Sequence, residues 1–389
     1  MPRLSFFLRL PVLLLLAHVY VAIRLTSAMP TGAGRILVVA AMLLLYMLIL
    51  GGFFSRRSFG TAAGDGMAWI GFLSLGAFSW LFVLSLVRDV LLLTVVIAHT
   101  VNAGVLSETT LERTQYTSAV AIPALTCVAV LLGLFNARKR ARVKDVEVPI
   151  DRLAPPLDGF TIVQLSDLHV GPTIKHGYVQ AIVDASNALL PDVIALTGDL
   201  VDGSVDRLQP HTEALAGLKA RHGVYVVTGN HEYYSGAPQW VAEFRRLGLQ
   251  VLMNEHRVLH HGGVPVVLAG VTDFGAGNFD PAQTSDPIAA LRGAPANAGI
   301  RMLLAHQPRS ATVAAAAGFD LQLSGHTHGG QFWPWHYFVP LQQPYVAGLH
   351  RLNRMAVYVS RGTGYWGPPM RIGAPSEITR IRLVPAVNI

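Results

Sequence analysis

The sequence is poor in cysteine and in charge. Its 389 residues include a single cysteine, Cys127, so the chain can form no internal disulfide bond and no thiolate metal cluster of its own. Charged residues make up 14% of the chain, against roughly 25% in an average soluble domain. A composition that is 52% apolar excludes a disordered chain, a collagen-like chain and a disulfide scaffold. It also argues against one soluble globular domain and indicates that part of the chain lies in lipid.

The net charge of +7 is unevenly distributed. Residues 1–144 contain 13 Lys and Arg against 4 Asp and Glu, whereas residues 145–389 contain 17 against 19. The second part also holds 13 of the 15 histidines. The positive charge therefore belongs to the apolar part, where it lies in short loops beside apolar runs, as in membrane proteins. We accordingly expect no nucleic-acid partner, because a nucleic-acid groove needs its basic residues on a folded soluble surface.

Residues 1–144 are predicted to form a transmembrane anchor of about four spans. A helix needs about 20 mostly apolar residues to cross the hydrocarbon core. The predicted spans cover about residues 6–25, 36–54, 67–101 and 119–135. Residues 90–101 either continue the third span as one long helix, with Arg88 and Asp89 paired, or form a separate short span or re-entrant piece. A cleaved signal peptide is the alternative for the first segment.

The basic residues beside the spans predict the orientation. Residues 136–144 (NARKRARVK) carry five Lys and Arg directly after the last span, which places that end of the span in the cytoplasm. A four-span anchor then also puts Arg56 and Arg57 inside, although Arg24 and Arg35 fall on the opposite side. A five-span anchor fits the basic residues less well. The expectation is a multi-pass protein of the cell (inner) membrane with a cytoplasmic C-terminal part.

Residues 145–159 are Pro-rich and mixed in charge and are predicted to be a linker, followed by one domain over residues 160–389. In that domain short apolar runs, each typical of a buried strand, end in small polar clusters. Helical patterns separate several of the runs, and residues 251–270 have a hairpin pattern. We therefore expect an α/β domain with mixed sheets whose polar clusters lie at the carboxyl ends of strands.

The polar clusters share one chemistry. Asp167 and His169 are two residues apart, so in an extended segment both side chains point the same way, and the same holds for His326 and His328. Carboxylate and imidazole groups without cysteine suit Mn, Fe or Zn ions. Five such clusters in order, each after its own strand, indicate a metal site. No spacing pattern supports a metal role for the remaining histidines, which include His222 and His261.

The order of the clusters, D-x-H, G-D-x-x-D, G-N-H-E, H and G-H-x-H, resembles the calcineurin-like metallophosphoesterase superfamily, and within it the bacterial membrane-anchored branch. The resemblance runs from about Phe160 to Leu383 and includes all five blocks. The sequence differs at Gly203-Ser204, where protein phosphatases typically have Arg-Gly. This difference argues against a protein phosphatase.

The resemblance implies a sandwich of two mixed β-sheets flanked by helices (αββα) and a centre of two divalent metal ions, for which Mn, Fe or Zn are the candidates. Asp199 would bridge the two ions. His231 would face the scissile phosphate as a catalytic residue, and Asp202 would be its carboxylate partner. The implied metal ligands are, for one ion, Asp167, His169 and His328, and for the other, Asn230, His306 and His326.

Together these expectations describe a membrane-anchored phosphoesterase that hydrolyses a phosphodiester, a pyrophosphate or a phosphomonoester by in-line attack of a metal-bound hydroxide. An anchor makes sense if the substrate lies in the bilayer. The membrane-linked bacterial members of the family include enzymes that cleave UDP-2,3-diacylglucosamine, so a lipid-linked substrate is a candidate. The aromatic segment 331–345 is either a loop at the membrane interface or an ordinary packed loop. The alternative function is a transporter or sensor whose soluble domain is a regulatory or inactive phosphoesterase-like module.

Overall fold

The structure is a computed structural model that describes residues 2–55, 61–101 and 107–386. Arg56 and Arg57, on which the predicted orientation partly depends, lie outside the described residues. The chain divides into two compact units. The first comprises Met1–Phe135 with Gly367–Met370, and the second comprises Asn136–Trp366 with Arg371–Ile389.

Four long helices form the first unit. They are α1 (Pro2–Thr26), α2 (Ala33–Phe54), α3 (Ala62–Val101) and α4 (Glu108–Arg138), of which α4 runs on into the second unit. Among the described residues, these four helices are long and apolar enough to cross a membrane. Residues 90–101 belong to α3, which continues unbroken for 40 residues.

Glycines allow α2 and α3 to pack closely. A Cβ atom built on Gly71 would lie 2.5 Å from the Cα atom of Gly52, so neither position has room for a side chain. In lipid, where helices gain little from burying apolar surface against each other, such close backbone contact is a main source of association.

A polar cluster joins α1 to α3 and α4. Asp89 accepts hydrogen bonds from Tyr20 Oη at 2.7 Å and from Arg24 Nε at 2.9 Å. Arg88, the expected partner of Asp89, lies 3.7 Å from its carboxylate and donates a hydrogen bond to Ser118 Oγ at 2.8 Å. Arg88 and Asp89 are therefore each paired with polar groups of another helix, as charges within apolar helices require.

The second unit contains two six-stranded sheets. The strands, in chain order, are β1 (Arg142–Ile150), β2 (Thr161–Leu165), β3 (Val193–Leu196), β4 (Val224–Val226), β5 (Gln250–Val251), β6 (Glu255–His261), β7 (Val264–Gly270), β8 (Ile300–Leu304), β9 (Leu321–Ser324), β10 (Gly348–Leu352), β11 (Met355–Val359) and β12 (Glu377–Pro385). The first sheet has the order β1-β12-β2-β3-β4-β5 and the second the order β10-β11-β9-β8-β7-β6. Strands β2 to β5 are mutually parallel, as are β7, β8, β9 and β11, whereas β2 with β12, β6 with β7 and β10 with β11 are antiparallel.

The second unit also contains shorter α-helices, some of which lie on the outer faces of the two sheets. They are α5 (His176–Asn187), α6 (Val205–Thr212), α7 (Asn230–Ser235), α8 (Ala237–Arg246), α9 (Pro287–Ala290) and α10 (Ala311–Ala317). Residues such as Ile162 and Met302 form a buried layer between the sheets. The other face of the first sheet packs on α5 and α8, through Ile182 and Trp240, and that of the second sheet packs on α10 through Ala314. The αββα sandwich of two mixed sheets is thus confirmed.

The structure corrects the predicted linker at residues 145–159. Its first part belongs to β1, which pairs in parallel with β12 along its whole length. Val148 and Ile150 alternate into the core, a strand pattern that the prolines and charges of this segment obscure. Pro149 is tolerated because β1 is an edge strand, where a missing backbone donor breaks no ladder.

Candidate metal centre

The seven residues implied as metal ligands lie just beyond the carboxyl ends of parallel strands. Because these ends share one edge of each sheet, residues far apart in sequence can meet there. In chain order the positions are Asp167 and His169 after β2, Asp199 after β3, Asn230 after β4, His306 after β8, and His326 and His328 after β9.

Asp167, His169 and His328 come together in one buried group. His169 Nε2 lies 3.1 Å from His328 Nε2, which lies 3.4 Å from Asp167 Oδ1. One ligand atom of each residue falls within 4.8 Å of the other two. His169 Nδ1 faces Asp202 Oδ1 at 3.1 Å, so Nδ1 donates its proton there and Nε2 presents a lone pair to the group.

Asp199, His306 and His326 form a second group. His306 Nε2 lies 3.1 Å from Asp199 Oδ2 and 3.2 Å from His326 Nδ1. The other ring nitrogen of His306 donates to the Thr197 carbonyl oxygen at 2.8 Å, which orients the ring and leaves Nε2 directed at the group. Burial and the neighbouring positive charge of His306 lower the pKa of His326 to about 3, so His326 is a neutral imidazole at pH 7.

Asn230 supports a cation at this position. Among the described residues, no hydrogen-bond donor reaches its buried Oδ1 atom. A buried carbonyl oxygen without a partner costs about 1–3 kcal/mol, so such atoms are normally satisfied. A divalent cation would satisfy this oxygen, and a set of nitrogen and oxygen donors without sulfur suits Mn, Fe or Zn. The residues present therefore fit divalent metal ions.

Several of these candidate ligands have a strained backbone. Non-glycine residues with positive φ are uncommon, and they cluster at functional sites where the surrounding structure holds them. Gly229 has a different constraint, because a Cβ atom there would overlap the Asp199 carboxylate. The ligands with positive φ are Asp167 (54°), His169 (50°), Asp199 (53°), His326 (71°) and His328 (52°).

His231 lies beside both groups. Its Nδ1 atom is 2.5 Å from Asp202 Oδ1 and its Nε2 atom is 3.9 Å from Asp199 Oδ2. Burial lowers the pKa of His231, but the carboxylates of Asp199 and Asp202 outweigh it and raise the pKa to about 9. His231 is thus protonated at neutral pH in the metal-free protein. Asp202 contacts His169 as well as its expected partner, so one carboxylate orients a ligand and His231 together.

Glu232 holds the ligand loops and was not assigned from the sequence. Its fully buried carboxylate accepts hydrogen bonds from the backbone N–H groups of Gly229 (2.6 Å), Leu200 (2.7 Å) and Asp199 (3.0 Å). It therefore ties the start of α7 to the loop that carries Asp199. A sequence signal exists, because a glutamate three residues after Gly229 has the spacing of a capping box.

Arg371 supports the His328 loop and has no comparable sequence signal. Its buried guanidinium donates to the carbonyl oxygens of His328 (2.9 Å), Arg361 (2.8 Å) and Gly364 (3.2 Å from Nε). Arg371 lies 43 positions after His328 in the chain. Tertiary structure alone brings the two together.

Aromatic side chains surround His231 at the surface. The rings of Tyr234 and Trp366 both contact the His231 ring edge-on. Their centroids lie 5.2 Å and 5.7 Å, respectively, from the His231 centroid. Phe279 packs against Tyr234 at 5.8 Å. All three aromatic residues are exposed, so they form an aromatic rim beside His231.

The aromatic segment 331–345 divides between core and surface. Phe332 is buried, whereas Tyr337 and Phe338 are 67% and 53% exposed. Gln331, at the start of the segment, exchanges two 2.9 Å hydrogen bonds with the backbone of Trp366. The segment is therefore joined to the aromatic rim but leaves apolar rings in solvent.

Comparison with known proteins identifies related chains. A family model described as calcineurin-like phosphoesterase matches residues 160–330. A zebrafish (Danio rerio) transmembrane protein with metallophosphoesterase domain is 40% identical over 267 residues, which are 67% of this chain and 61% of the relative. The chain thus spans about three fifths of the length of this vertebrate relative.

Bacterial relatives match over the same region. A metallophosphoesterase of Helicobacter pylori is 37% identical over 258 residues, which are 65% of this chain and 66% of the relative. One of Aquifex aeolicus is 31% identical over 260 residues, which are 66% of this chain and 97% of the relative. Similarity therefore extends to animal as well as bacterial proteins, and a specifically bacterial branch is not distinguished.

Proposed function

The chain belongs to the calcineurin-like metallophosphoesterase family, and we propose that it is a membrane-anchored, dimetal enzyme that hydrolyses a phosphodiester, pyrophosphate or phosphomonoester bond. Family membership supports the coarser assignment as a metal-dependent phosphoester hydrolase. The observation that supports the finer proposal is the meeting of two ligand groups with His231 and Asp202 at one edge of the sandwich.

We assign the ligands to two metal sites that share Asp199. In such a centre two divalent ions lower the pKa of a water and stabilise the charge that develops on the phosphoryl group. Burial lowers the pKa of His306, but the neighbouring Asp199 carboxylate raises it to about 10, so His306 must release a proton to become a ligand. The proposed sets, apart from Asp199, are Asp167, His169 and His328 in one site, and Asn230, His306 and His326 in the other.

His231 supplies a proton or a hydrogen bond to the reacting phosphate in this proposal. Asp202 holds its Nδ1 atom, so Nε2 is the nitrogen that faces away toward the centre. A histidine with a pKa of about 9 is protonated at neutral pH and can donate to a leaving oxygen or a phosphoryl oxygen. Asp202 acts through His231 and His169 and is therefore a positioning residue.

The substrate we propose is linked to lipid, and UDP-2,3-diacylglucosamine is one compound of this kind. Tyr234 and Trp366 offer exposed ring faces next to His231, where the base or sugar of a substrate can stack. Trp335 and Tyr337 expose rings of the type that favours the boundary between lipid and water. A membrane-spanning helical unit would keep the enzyme beside such a substrate.

We propose that the catalytic unit lies on the cytoplasmic side of the cell membrane. The support is the cluster of five basic residues in residues 136–144, directly after the apolar part of α4. A green fluorescent protein fused after Ile389 should fluoresce, and alkaline phosphatase fused there should be inactive. The opposite pair of results would reverse the proposed orientation.

Activity is tested on the full chain in detergent, freed of metal with a chelator. Hydrolysis of bis(p-nitrophenyl) phosphate should return when Mn²⁺ is added back, and Asp199→Asn should remove it. Absence of turnover with Mn²⁺, Fe²⁺ and Zn²⁺ alike would contradict a phosphodiesterase.

A matched substrate pair tests the lipid proposal. UDP-2,3-diacylglucosamine and the soluble UDP-N-acetylglucosamine share a pyrophosphate but differ in their acyl chains. We expect at least a tenfold higher kcat/KM for the acylated compound. Equal values would overturn a lipid-linked substrate while leaving the phosphoesterase assignment intact.

A further inference from the structure

Three side chains with metal-binding atoms meet at the edge of the sandwich opposite the metal centre. Asp192 directly precedes β3, His222 precedes β4 by two residues, and His261 ends β6. The first two therefore lie at the amino ends of parallel strands of the first sheet, and the third comes from the second sheet. Strand β3 (Val193–Leu196) and the turn after it separate Asp192 from Asp199, so at about 3.3 Å per strand residue the cluster lies on the order of 15 Å from the metal centre.

The separations within the cluster suit one small cation. His222 Nε2 lies 3.0 Å from His261 Nδ1, which lies 3.7 Å from Asp192 Oδ1. One ligand atom of each residue lies within 4.8 Å of the others. Metal–ligand bonds of about 2.0–2.1 Å at tetrahedral angles place neighbouring ligand atoms about 3.3 Å apart, between the two observed values.

The surrounding residues hold these side chains in place. Asp192 Oδ2 accepts hydrogen bonds from the Thr161 backbone N–H (2.9 Å) and hydroxyl (3.0 Å), which leaves Oδ1 directed at His261. The buried ring of Phe160 stacks on His222 and contacts His261 edge-on. Carboxylate and imidazole ligands oriented by neighbouring groups in this way are typical of built metal sites.

Solvent can reach the remaining coordination positions. The three side chains are half-buried, and a competing cation, Arg221, has its Nη1 3.8 Å from Asp192 Oδ1. The Arg221 side chain is 66% exposed and can turn away into water. A site with two imidazoles and one carboxylate, completed by water, suits Zn²⁺ or another late first-row divalent ion.

We propose that Asp192, His222 and His261 form a third metal site, separate from the phosphoesterase centre, which binds a zinc-like divalent cation. A bound ion would connect the first sheet to the β6–β7 hairpin of the second sheet at the end of the sandwich opposite the metal centre. The ion would stabilise the protein, because a ligand that binds the folded chain but not the unfolded chain favours the folded state.

The test counts zinc bound to the full chain in detergent. Protein freed of metal is dialysed against buffered Zn²⁺, and zinc per chain is measured by mass spectrometry. We expect the wild-type chain to bind one equivalent more than His222→Gln and to gain about 5 °C more in Tm on zinc addition. His260→Gln, which alters the exposed neighbour of His261, is the matched control and should behave as wild type.

Manganese-dependent hydrolysis checks that each variant folds. His222→Gln should keep wild-type activity, since it lies far from the catalytic centre, and His261→Gln is a second variant that should lose the same equivalent. Equal zinc content and equal zinc-induced Tm shifts in wild type and both variants would overturn the site and leave a plain histidine–histidine hydrogen bond. That outcome would not affect the proposed phosphoesterase.

Discussion

Replacement of Glu232 by alanine should destabilise the metal-free protein by about 3–5 kcal/mol. The change removes the acceptor of three backbone N–H groups, on Gly229, Leu200 and Asp199, and leaves them buried. Each unsatisfied buried donor costs about 1–3 kcal/mol, partly relieved if water enters the space. In a domain of this size 1 kcal/mol shifts Tm by about 2–4 °C, so we expect a fall of roughly 10 °C.

Glu232→Gln should lie between wild type and alanine. Its amide oxygen can take the place of Oε2, which serves two of the three donors, but its NH₂ group then faces the N–H of Leu200. One lost acceptor predicts about 1–3 kcal/mol.

Thermal unfolding of the full chain in detergent measures both changes. The protein should be free of metal, so that binding does not mask them, and held at pH 8. Burial and the Asp199 charge raise the pKa of Glu232 to about 7, so the carboxylate is ionised at that pH. Glu213→Ala is the control, because Glu213 forms an ion pair with Arg246 at the surface, where water screens the two charges. If Glu232→Ala melts within 2 °C of wild type and retains its Mn²⁺ affinity, the role given to this carboxylate is wrong.

Four further substitutions probe the centre and the helical unit. Asp199→Asn and His231→Ala should each lower kcat on bis(p-nitrophenyl) phosphate by about 10²-fold or more. The first change removes the shared carboxylate and the second removes the proton donor. Substantial turnover in both variants would contradict these roles. Asn230→Ala should weaken Mn²⁺ binding in calorimetry yet leave the Tm of the metal-free protein nearly unchanged. The reason is that Asn230 Oδ1 accepts no hydrogen bond from the described residues. A large fall in that Tm would argue against Asn230 as a ligand. Gly71→Ala should lower the free energy of unfolding by about 1–3 kcal/mol, because it forces a methyl group into the backbone of α2. Gly66→Ala on the same helix is the control, since its methyl group meets open space. Equal Tm values for the two variants would refute the close packing.

Much of the fold follows from short-range pattern. Apolar runs such as 161–165 and 300–304 are strands, and the polar clusters that follow them lie at strand ends because the chain must leave the sheet there. Apolar length alone predicts four long helices in the first unit. The β1 strand was missed because Pro149 and the charged residues around it hide an alternation that becomes meaningful only when β12 pairs with it.

The candidate site, like the fold, could be predicted only in part from the sequence. The spacing of Asp167 with His169 and of His326 with His328 indicates metal-binding side chains. The order of the sequence blocks indicates the family. Glu232 was visible in the G-N-H-E block but its three backbone partners were not. Such partners depend on where the loop after β3 meets the start of α7.

By itself, the sequence determined which segments are long and apolar enough to cross a membrane, which form strands, and which side chains can bind metal, because hydrophobic periodicity and ligand chemistry are local properties. Only the tertiary structure decided that Arg371 holds the His328 loop, that Trp366 borders His231, and that His222 meets His261 at the opposite edge. These contacts depend on the order and direction of strands in two sheets. Strand order brings together residues tens of positions apart, and no local periodicity records which of them will meet.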